Sequence, residues 1–199
     1  MSINFTKPSH IAFFGAAIPL ASWFISQWFF SIFKYWPNWL EGPSPLVVYG
    51  IIYFLFDKYF WRWDGFQKLG IVRFPNLNGR WKGVQQSSYK ENGKNVVVEG
   101  RLEIVQTFSK ICARGYYTKS ESESIAASFS ECNDQIYLFY TYDNDPSSIK
   151  TGTMKEHKGS AKIKQLSTES KIKGCYWNSI GNHGEMDYEF EQKQLLGHF

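Results

Sequence analysis

Several arrangements that would announce an enzyme or a metal protein are missing from this chain of 199 residues. Its three cysteines, Cys112, Cys132 and Cys175, show no Cys-x-x-Cys spacing and cannot all pair, which argues for a reducing compartment and against a disulfide scaffold or a zinc site. The histidines, His10, His157, His183 and His198, lie at the termini, in turns or on an edge, and none has a metal-ligand spacing to a Cys or Asp. No glycine-rich phosphate loop precedes a helix, and no Gly-x-Ser-x-Gly occurs. With no catalytic residue and no cofactor or metal to assign, the chain reads as a binding module and not as an enzyme. An excess of one charge is scarce as well. Up to Pro75 six basic residues face three acids, and beyond it 16 face 15. A nearly neutral second part excludes the wrapping of a long nucleic acid, because that affinity comes from neutralising many phosphates at once.

Charge is entirely absent from Ile11 to Phe33. As a helix this run extends roughly 35 Å, enough to span a hydrocarbon core of about 30 Å with some tilt. Gly15, Ala16 and Ala17 imitate a signal cleavage site, but the run continues too far for that and a second apolar run follows. Between the two lies a break, Lys34 to Ser44, with Tyr35, Trp36, Pro37, Trp39, Gly42 and Pro43, the composition of a hairpin turning at an interface. The second run, Leu46 to Phe56, becomes a span of roughly 19 residues if Pro45 begins it and Tyr59, Phe60, Trp61 and Trp63 form the far aromatic belt. Lys58, Arg62, Lys68 and Arg73 after it and Lys7 before the first run, against Lys34 alone in the loop, place both termini in the cytoplasm. Asp57 has two readings: a transmembrane coupling residue in an inter-helix contact or water path, or an acid at headgroup level beside Lys58.

After a connector the pattern changes to alternation with turn signals about every ten residues, the mark of an all-β sandwich or barrel. Strands are expected over 80–89, 95–107, 111–118, 123–131, 135–142, 149–155, 160–166, 172–179 and 185–192. Asn92-Gly93 calls for a type I′ hairpin, and Asn133-Asp134, Asp143 to Pro146 and Gly181 to Gly184 supply other breaks. The expected architecture is an N-terminal α-helical transmembrane hairpin plus an all-β, antiparallel up-and-down β-barrel of about eight strands. It divides into a lead over 1–10, the hairpin over 11–63, a connector over 64–77 and a cytosolic ligand-binding barrel over 78–199.

Alternation also assigns faces. Glu185, Asp187, Glu189 and Glu191 share an outer face with Lys171 and Lys173, which turns Tyr176 and Asn178 inward. Glu99, Arg101 and Glu103 point outward and Leu102, Ile104 and Gln106 inward; Tyr140 and Tyr142 belong to an inner face with Ile136 and Leu138. An interior that mixes Gln106, Tyr140, Tyr142, Tyr176 and Asn178 with Gly83, Ser87 and Gly100 is unusual for a dry core, and a polar ligand would satisfy it. Tyrosine faces stack on nucleobases, and Asn or Gln reads a base edge. Tyr89 and Tyr116 join this set, and Arg114 is the best phosphate clamp if its strand face turns inward; otherwise it is an exposed strand arginine. The lysines from Lys150 to Lys173 form the one basic region, either over anionic headgroups or on a solvated face.

With the charge-poor hairpin, the opening strand Asn78-Gly79-Arg80-Trp81 and the late strand Gly174-Cys175-Tyr176-Trp177-Asn178, the chain resembles the two-transmembrane, STING-like β-barrel effectors of bacterial CBASS antiphage defence, which are associated with CD-NTases. That resemblance implies a minimal eight-strand barrel that binds a cyclic dinucleotide made by a partner CD-NTase. It also implies oligomerisation on binding and disruption of the inner membrane by the helices, killing the infected cell. The competing class is a membrane-tethered lipocalin-like carrier of a lipid or other hydrophobe, since Gly79-Arg80-Trp81 has the form Gly-x-Trp.

Overall fold

In the computed structural model residues 8–32, 44–133, 135–146, 156–166 and 170–199 are described. The break expected over Lys34 to Ser44, apart from Ser44 itself, the candidate strand Ile149 to Lys155, Asp134 and most of the N-terminal lead lie outside them. The chain divides into two compact units: one comprises Phe74–Gln106 and Lys110–Phe199, the other the helices up to Arg73 together with Thr107–Ser109.

In the helical unit α1 (Pro8–Ala12) runs through a π-helical turn, Phe13–Ala17, into α2 (Ile18–Ile32). Pro19 explains the wide turn: its ring collides with the carbonyl four residues back, and a local shift to i→i+5 bonding, seen in the Ile18 N–H that donates to the Phe13 carbonyl, relieves the clash. His10–Ile32, 23 residues with a mean hydropathy of 1.3, is long and apolar enough to cross a membrane, and it is the one such helix among the described residues. Its exposure pattern is inverted relative to a water-soluble helix. Ile18, Ser22 and Ser26 are buried at four-residue spacing while Trp23, Phe24, Trp28 and Phe30 are exposed. The Ser22 hydroxyl is satisfied within the helix by donating to the Ile18 carbonyl at 2.7 Å.

The second helix, α3 (Pro45–Lys58), starts at an N-cap, with the Ser44 hydroxyl accepting from the Val47 N–H and Pro45 at the first helical position. It packs against α2 and leaves Leu46, Val47, Ile51 and Phe54 exposed. Its 14 residues span about 21 Å, short of the span of roughly 19 residues expected from the sequence. The chain leaves α-helical geometry at Tyr59 and continues through a 3-10 turn, Phe60–Arg62, to the short α4 (Asp64–Lys68). Of the four aromatics expected in the far belt, Tyr59, Phe60 and Trp63 are exposed, but Trp61 is fully buried.

The other unit is a closed antiparallel barrel of eight strands in sequential order: β1 (Gly79–Glu91), β2 (Lys94–Gln106), β3 (Ile111–Tyr117), β4 (Ser120–Cys132), β5 (Gln135–Pro146), β6 (His157–Gln165), β7 (Lys171–Asn178) and β8 (His183–Gln192). The β1–β2 hairpin turns on Asn92 and Gly93, both at positive φ (52° and 79°), between the paired Glu91 and Lys94, as a type I′ turn requires. The break expected at Asp143 to Pro146 is not a break. Those residues continue β5 and pair with Ser120 to Glu123, because β4 begins three residues earlier than its alternation indicates and the ladder outweighs the turn propensity of Asp, Asn and Pro.

Candidate functional site

The barrel interior has two chemically different ends. At one end Leu77, Trp81, Leu102, Ile104, Leu138, Ile163 and Ile172 form a buried apolar cluster. Trp81 closes it, edge-on to Phe190 at 5.3 Å between ring centroids, with its indole N–H donating to the Leu77 carbonyl at 3.0 Å. Gln106 belongs to this end. Its Oε1 accepts the Leu77 N–H at 2.8 Å, its Nε2 donates to the Pro75 carbonyl at 3.0 Å, and its backbone exchanges two 2.7 Å bonds with the Asn78 side chain. Every polar group of Gln106 is thereby committed to holding the chain entry of the barrel.

The other end is lined by tyrosines. Four cross-strand pairs set a tyrosine against a glycine: Tyr188 with Gly83, Tyr117 with Gly100, Tyr142 with Gly159, and Tyr176 with Gly184. A Cβ at Gly100, Gly159 or Gly184 would run into the ring of its partner. Gly83 and Gly100, which the sequence placed in a mixed interior, thus accommodate aromatic rings, as Gly159 and Gly184 do. The Gln85 amide donates to the Tyr117 hydroxyl at 2.6 Å, and the Tyr188 hydroxyl lies beside this pair. Burial pushes the Tyr140, Tyr142 and Tyr188 phenols above the ordinary tyrosine pKa, reinforced by the neighbouring Tyr117, so all remain neutral hydrogen-bond donors. Beside them Asn144, 4% exposed, has a side-chain nitrogen with no hydrogen-bond partner among the described residues. The inward residues of this end, Gln85, Tyr117, Tyr140, Tyr142, Asn144, Tyr176 and Tyr188, include no lysine or arginine.

Tyr140, Tyr142 and Tyr176 are therefore together inside. Asn178 lies at the same end, where its Oδ1 accepts the Asn182 N–H at 2.9 Å and caps the β7–β8 turn. Tyr89 is exposed near the tip of the β1–β2 hairpin. Arg114 and Tyr116 correct the expectation of an inward face. Register pairs them with the outward Glu103 and Arg101, and Arg114 is half exposed, donating from Nε and Nη2 to Glu123 Oε1 at 2.9 and 2.6 Å. This pairing raises the Arg114 pKa further and leaves the side chain no role in the interior. Two inward tyrosines, Tyr117 and Tyr188, were absent from the sequence-derived set. Tyr188 was legible as the inward neighbour of Asp187 and Glu189; Tyr117 follows once Arg114 is placed outside.

A second polar cluster sits outside the barrel wall. Arg80 and Glu103, both nearly fully buried, pair at 2.7 Å beneath the C-terminal segment. The Arg80 guanidinium also reaches Glu191 at 2.8 Å and the His198 carbonyl at 2.6 Å, and Glu103 accepts the Leu196 and Gly197 N–H groups. Burial pushes the Glu103 carboxyl up, but the bonds from Arg80, Leu196 and Gly197 outweigh it and hold the pKa below its ordinary value.

Asp57, at the end of α3, grips Thr107–Ser109, the turn between β2 and β3. Its carboxylate accepts the Ser109 N–H at 2.6 Å and the Thr107 hydroxyl at 3.3 Å, and its carbonyl accepts the Phe108 N–H at 2.9 Å. The Phe108 ring is buried against Phe14 and Phe56, with centroids at 5.3 and 5.0 Å. Among the described residues no cluster of His, Cys, Asp and Glu has the arrangement of a metal site.

Residues 72–189 match the family model of the Cap15 cyclic dinucleotide receptor domain. The chain belongs to the Cap15 family. Its curated relatives include CD-NTase-associated protein 15 of Escherichia albertii, 28% identical over 134 residues that cover 65% of this chain and 66% of the relative. The protein of the same name from Yersinia aleksiciae is 34% identical over 137 residues, 67% of this chain and 62% of the relative. The matches thus span slightly under two thirds of the relatives' own length. They bear out the resemblance carried by the Asn78 to Trp81 and Gly174 to Asn178 strands, and the Cap15 receptor domain falls on the barrel, whose closed eight-strand form is the one expected.

Proposed function

We propose that this Cap15 protein is a membrane-bound effector of CBASS antiphage immunity whose barrel receives a cyclic dinucleotide from a partner CD-NTase. The family match over the barrel carries this reading. The tyrosine-lined end supplies a fitting chemistry: aromatic faces to stack on bases, neutral hydroxyls, and the unpartnered Asn144 nitrogen as a donor to base or phosphate oxygens. Tyr142 and Tyr176, each 9% exposed, stand at its rim with Asn178 and Tyr89, so a ligand entering from this end meets their rings first. Gln106, Arg114 and Tyr116 take no part, for the structural reasons given above.

In this reading residues 11–63 form a two-span hairpin in the bacterial inner membrane with both termini cytoplasmic, 64–77 a connector and 78–199 the cytosolic receptor. The exposed Trp and Phe of α2 and the basic residues after α3 support it. Ligand binding promotes association of copies, and the helices then disrupt the bilayer; the effector acts by binding and not by catalysis. The hold of Asp57 on the β2–β3 turn is the coupling element.

The test is thermal unfolding of the full chain in detergent micelles against a panel of cyclic dinucleotides and fatty acids. A receptor gains about 2.7 kcal/mol at a ligand concentration 100 times its Kd. Stabilisation by a cyclic dinucleotide and not by fatty acids supports the proposal. Stabilisation by fatty acids alone would favour the lipocalin-like carrier, and labelling of a tag at Phe199 from outside the cell would reject the topology.

A further inference from the structure

The outer wall of the barrel holds a half-open groove of about 510 Å³ whose lining includes Lys162, Lys164, Lys173, Cys175, Glu185 and Asp187. Two cross-strand rows build it. In one, Lys162 stands opposite Cys175 and Cys175 opposite Glu185; in the next, Lys164 stands opposite Lys173 and Lys173 opposite Asp187. Cysteine is the short side chain in the middle of long ones, so it forms the floor. The rows also sort charge: three ammonium groups on β6 and β7 face two carboxylates on β8.

The charges are not mutually satisfied. Lys173 pairs with Asp187 at 2.9 Å. The Lys162 ammonium lies 4.0 Å from the centroid of the Tyr137 ring, a cation–π contact that leaves its positive charge uncompensated. Lys164 and Glu185 make no ion pair among the described residues. Placing Lys164 directly opposite Lys173 is unfavourable in a strand pair, and an anion between them would remove the repulsion. This groove brings positive charge and volume together on the described barrel wall.

We infer that the groove is a second ligand site, separate from the tyrosine-lined end, which takes a phosphodiester carrying an N–H donor. The phosphodiester oxygens sit at Lys162 and Lys164, and the N–H group donates to the Glu185 carboxylate on the opposite side. A ligand with a second negative charge at that position would be repelled by Glu185 and Asp187. Two sources share this chemistry: the base amino group and phosphodiester of a cyclic dinucleotide, and the phosphoethanolamine headgroup of a phospholipid.

Cys175 reports occupancy directly, because it is a free, exposed thiol at the floor of the groove, and the exposed Cys132 serves as an internal control. The full chain in detergent micelles is labelled with N-ethylmaleimide and each cysteine is followed by mass spectrometry. One arm adds cyclic di-AMP; the other adds short-chain phosphatidylethanolamine, with phosphatidylglycerol, which lacks the N–H donor, beside it. At least one of the two N–H-bearing probes is expected to slow Cys175 labelling about fivefold or more without slowing Cys132. Lys164→Glu should abolish the protection, Lys164→Arg should keep it, and Glu185→Gln should erase the preference for the ethanolamine headgroup over glycerol. Unchanged Cys175 labelling with both probes, or protection that survives Lys164→Glu, would overturn the inference. Equal protection by phosphatidylglycerol would overturn it too, by removing the carboxylate half. The inference does not rest on the receptor reading. A cyclic dinucleotide that stabilises the protein while leaving Cys175 labelling untouched binds elsewhere, and only its slowing of Cys175 would place it in the groove.

Discussion

The Asp57 carboxylate accepts the Ser109 amide hydrogen at 2.6 Å, so the last turn of α3 holds the tripeptide that joins β2 to β3. A hydrogen bond to a charged acceptor is worth about 1.5–3 kcal/mol, and here it fixes a turn that also buries Phe108. Asp57→Ala is expected to speed hydrogen exchange at the Ser109 amide by about tenfold or more, with little change at the amides of β5 and β6. Asp57→Asn, which keeps a carbonyl acceptor, should show a smaller effect. Equal exchange in wild type and Asp57→Ala would show that the turn is held by Phe108 alone.

The tyrosine-glycine pairs make a sharper demand on the backbone. A Cβ at Gly83 would overlap the Asp187 carbonyl oxygen and lie 2.6 Å from the Tyr188 Cα, and neither belongs to a movable side chain. Gly83→Ala should therefore cost about 3 kcal/mol or prevent folding, the scale of an overpacked core that cannot relax. Gly50→Ala in α3 meets nothing within 4 Å and should be tolerated, since alanine is the better helix former. Thermal unfolding of the two variants side by side checks both statements.

These pairs also show where the sequence stopped being readable. Alternation located all eight strands; the charges at every second position of β7 and β8 turned Tyr176 inside, and the shared parity of Ile136, Leu138, Tyr140 and Tyr142 marked the inner face of β5. It failed at β3, where Arg114 and Tyr116 share a parity with Cys112 and Ala113 and Gly115 with Tyr117, so neither face is marked by a run of charge. Only the pairing of Arg114 with Glu103 across β2 settles the face, and that is a register fact. Glycines in alternate inward positions signal space, but the sequence cannot say whether a ligand or a cross-strand tyrosine fills it. The grip of Asp57 on Ser109 joins residues 52 apart with no motif to connect them.

Burial sets the alkaline limit of the barrel. A phenol whose folded pKa is raised contributes stability that is complete below the unfolded value of about 10 and is lost as pH rises above it, at about 1.4 kcal/mol per pH unit for each group. Tyr140, Tyr142 and Tyr188 all shift in this direction. Absorbance at the tyrosinate band is expected to show the buried tyrosines ionising together with loss of fold. Tyr140→Phe should move that unfolding step to higher pH.

The acid limit has a different origin. Because the Glu103 pKa is held below its ordinary value of about 4.3, its contribution is present above that pH and disappears as pH falls through the folded value. Glu103→Gln keeps the shape but leaves Arg80 with Glu191 as its remaining carboxylate, so the variant should lose about 1–3 kcal/mol at pH 7. The difference between variant and wild type should shrink toward pH 3. Urea unfolding at both pH values measures it, and an equal deficit at both would assign the loss to packing under the C-terminal segment.

Among the described residues two stretches of chain link the units covalently, and they differ in how a signal would pass. The connector near Arg73 and Phe74 is one; the turn Thr107–Ser109, grouped with the helices while its neighbours Gln106 and Lys110 group with the barrel, is the other. If the connector alone carried the response of the receptor to the membrane, a flexible insert after Arg73 would silence it. On the proposed effector function, with the turn held by Asp57 and Phe108, the insert by itself should leave ligand-triggered growth arrest largely intact, and only the insert combined with Asp57→Ala should abolish it while ligand binding persists. Loss of arrest with the insert alone would assign transmission to the connector. Arrest that survives the combined variant would make the helices a tether with no part in the response. The outcome turns on whether three residues of a β-turn, held by one carboxylate and one buried ring, are enough to move a helix.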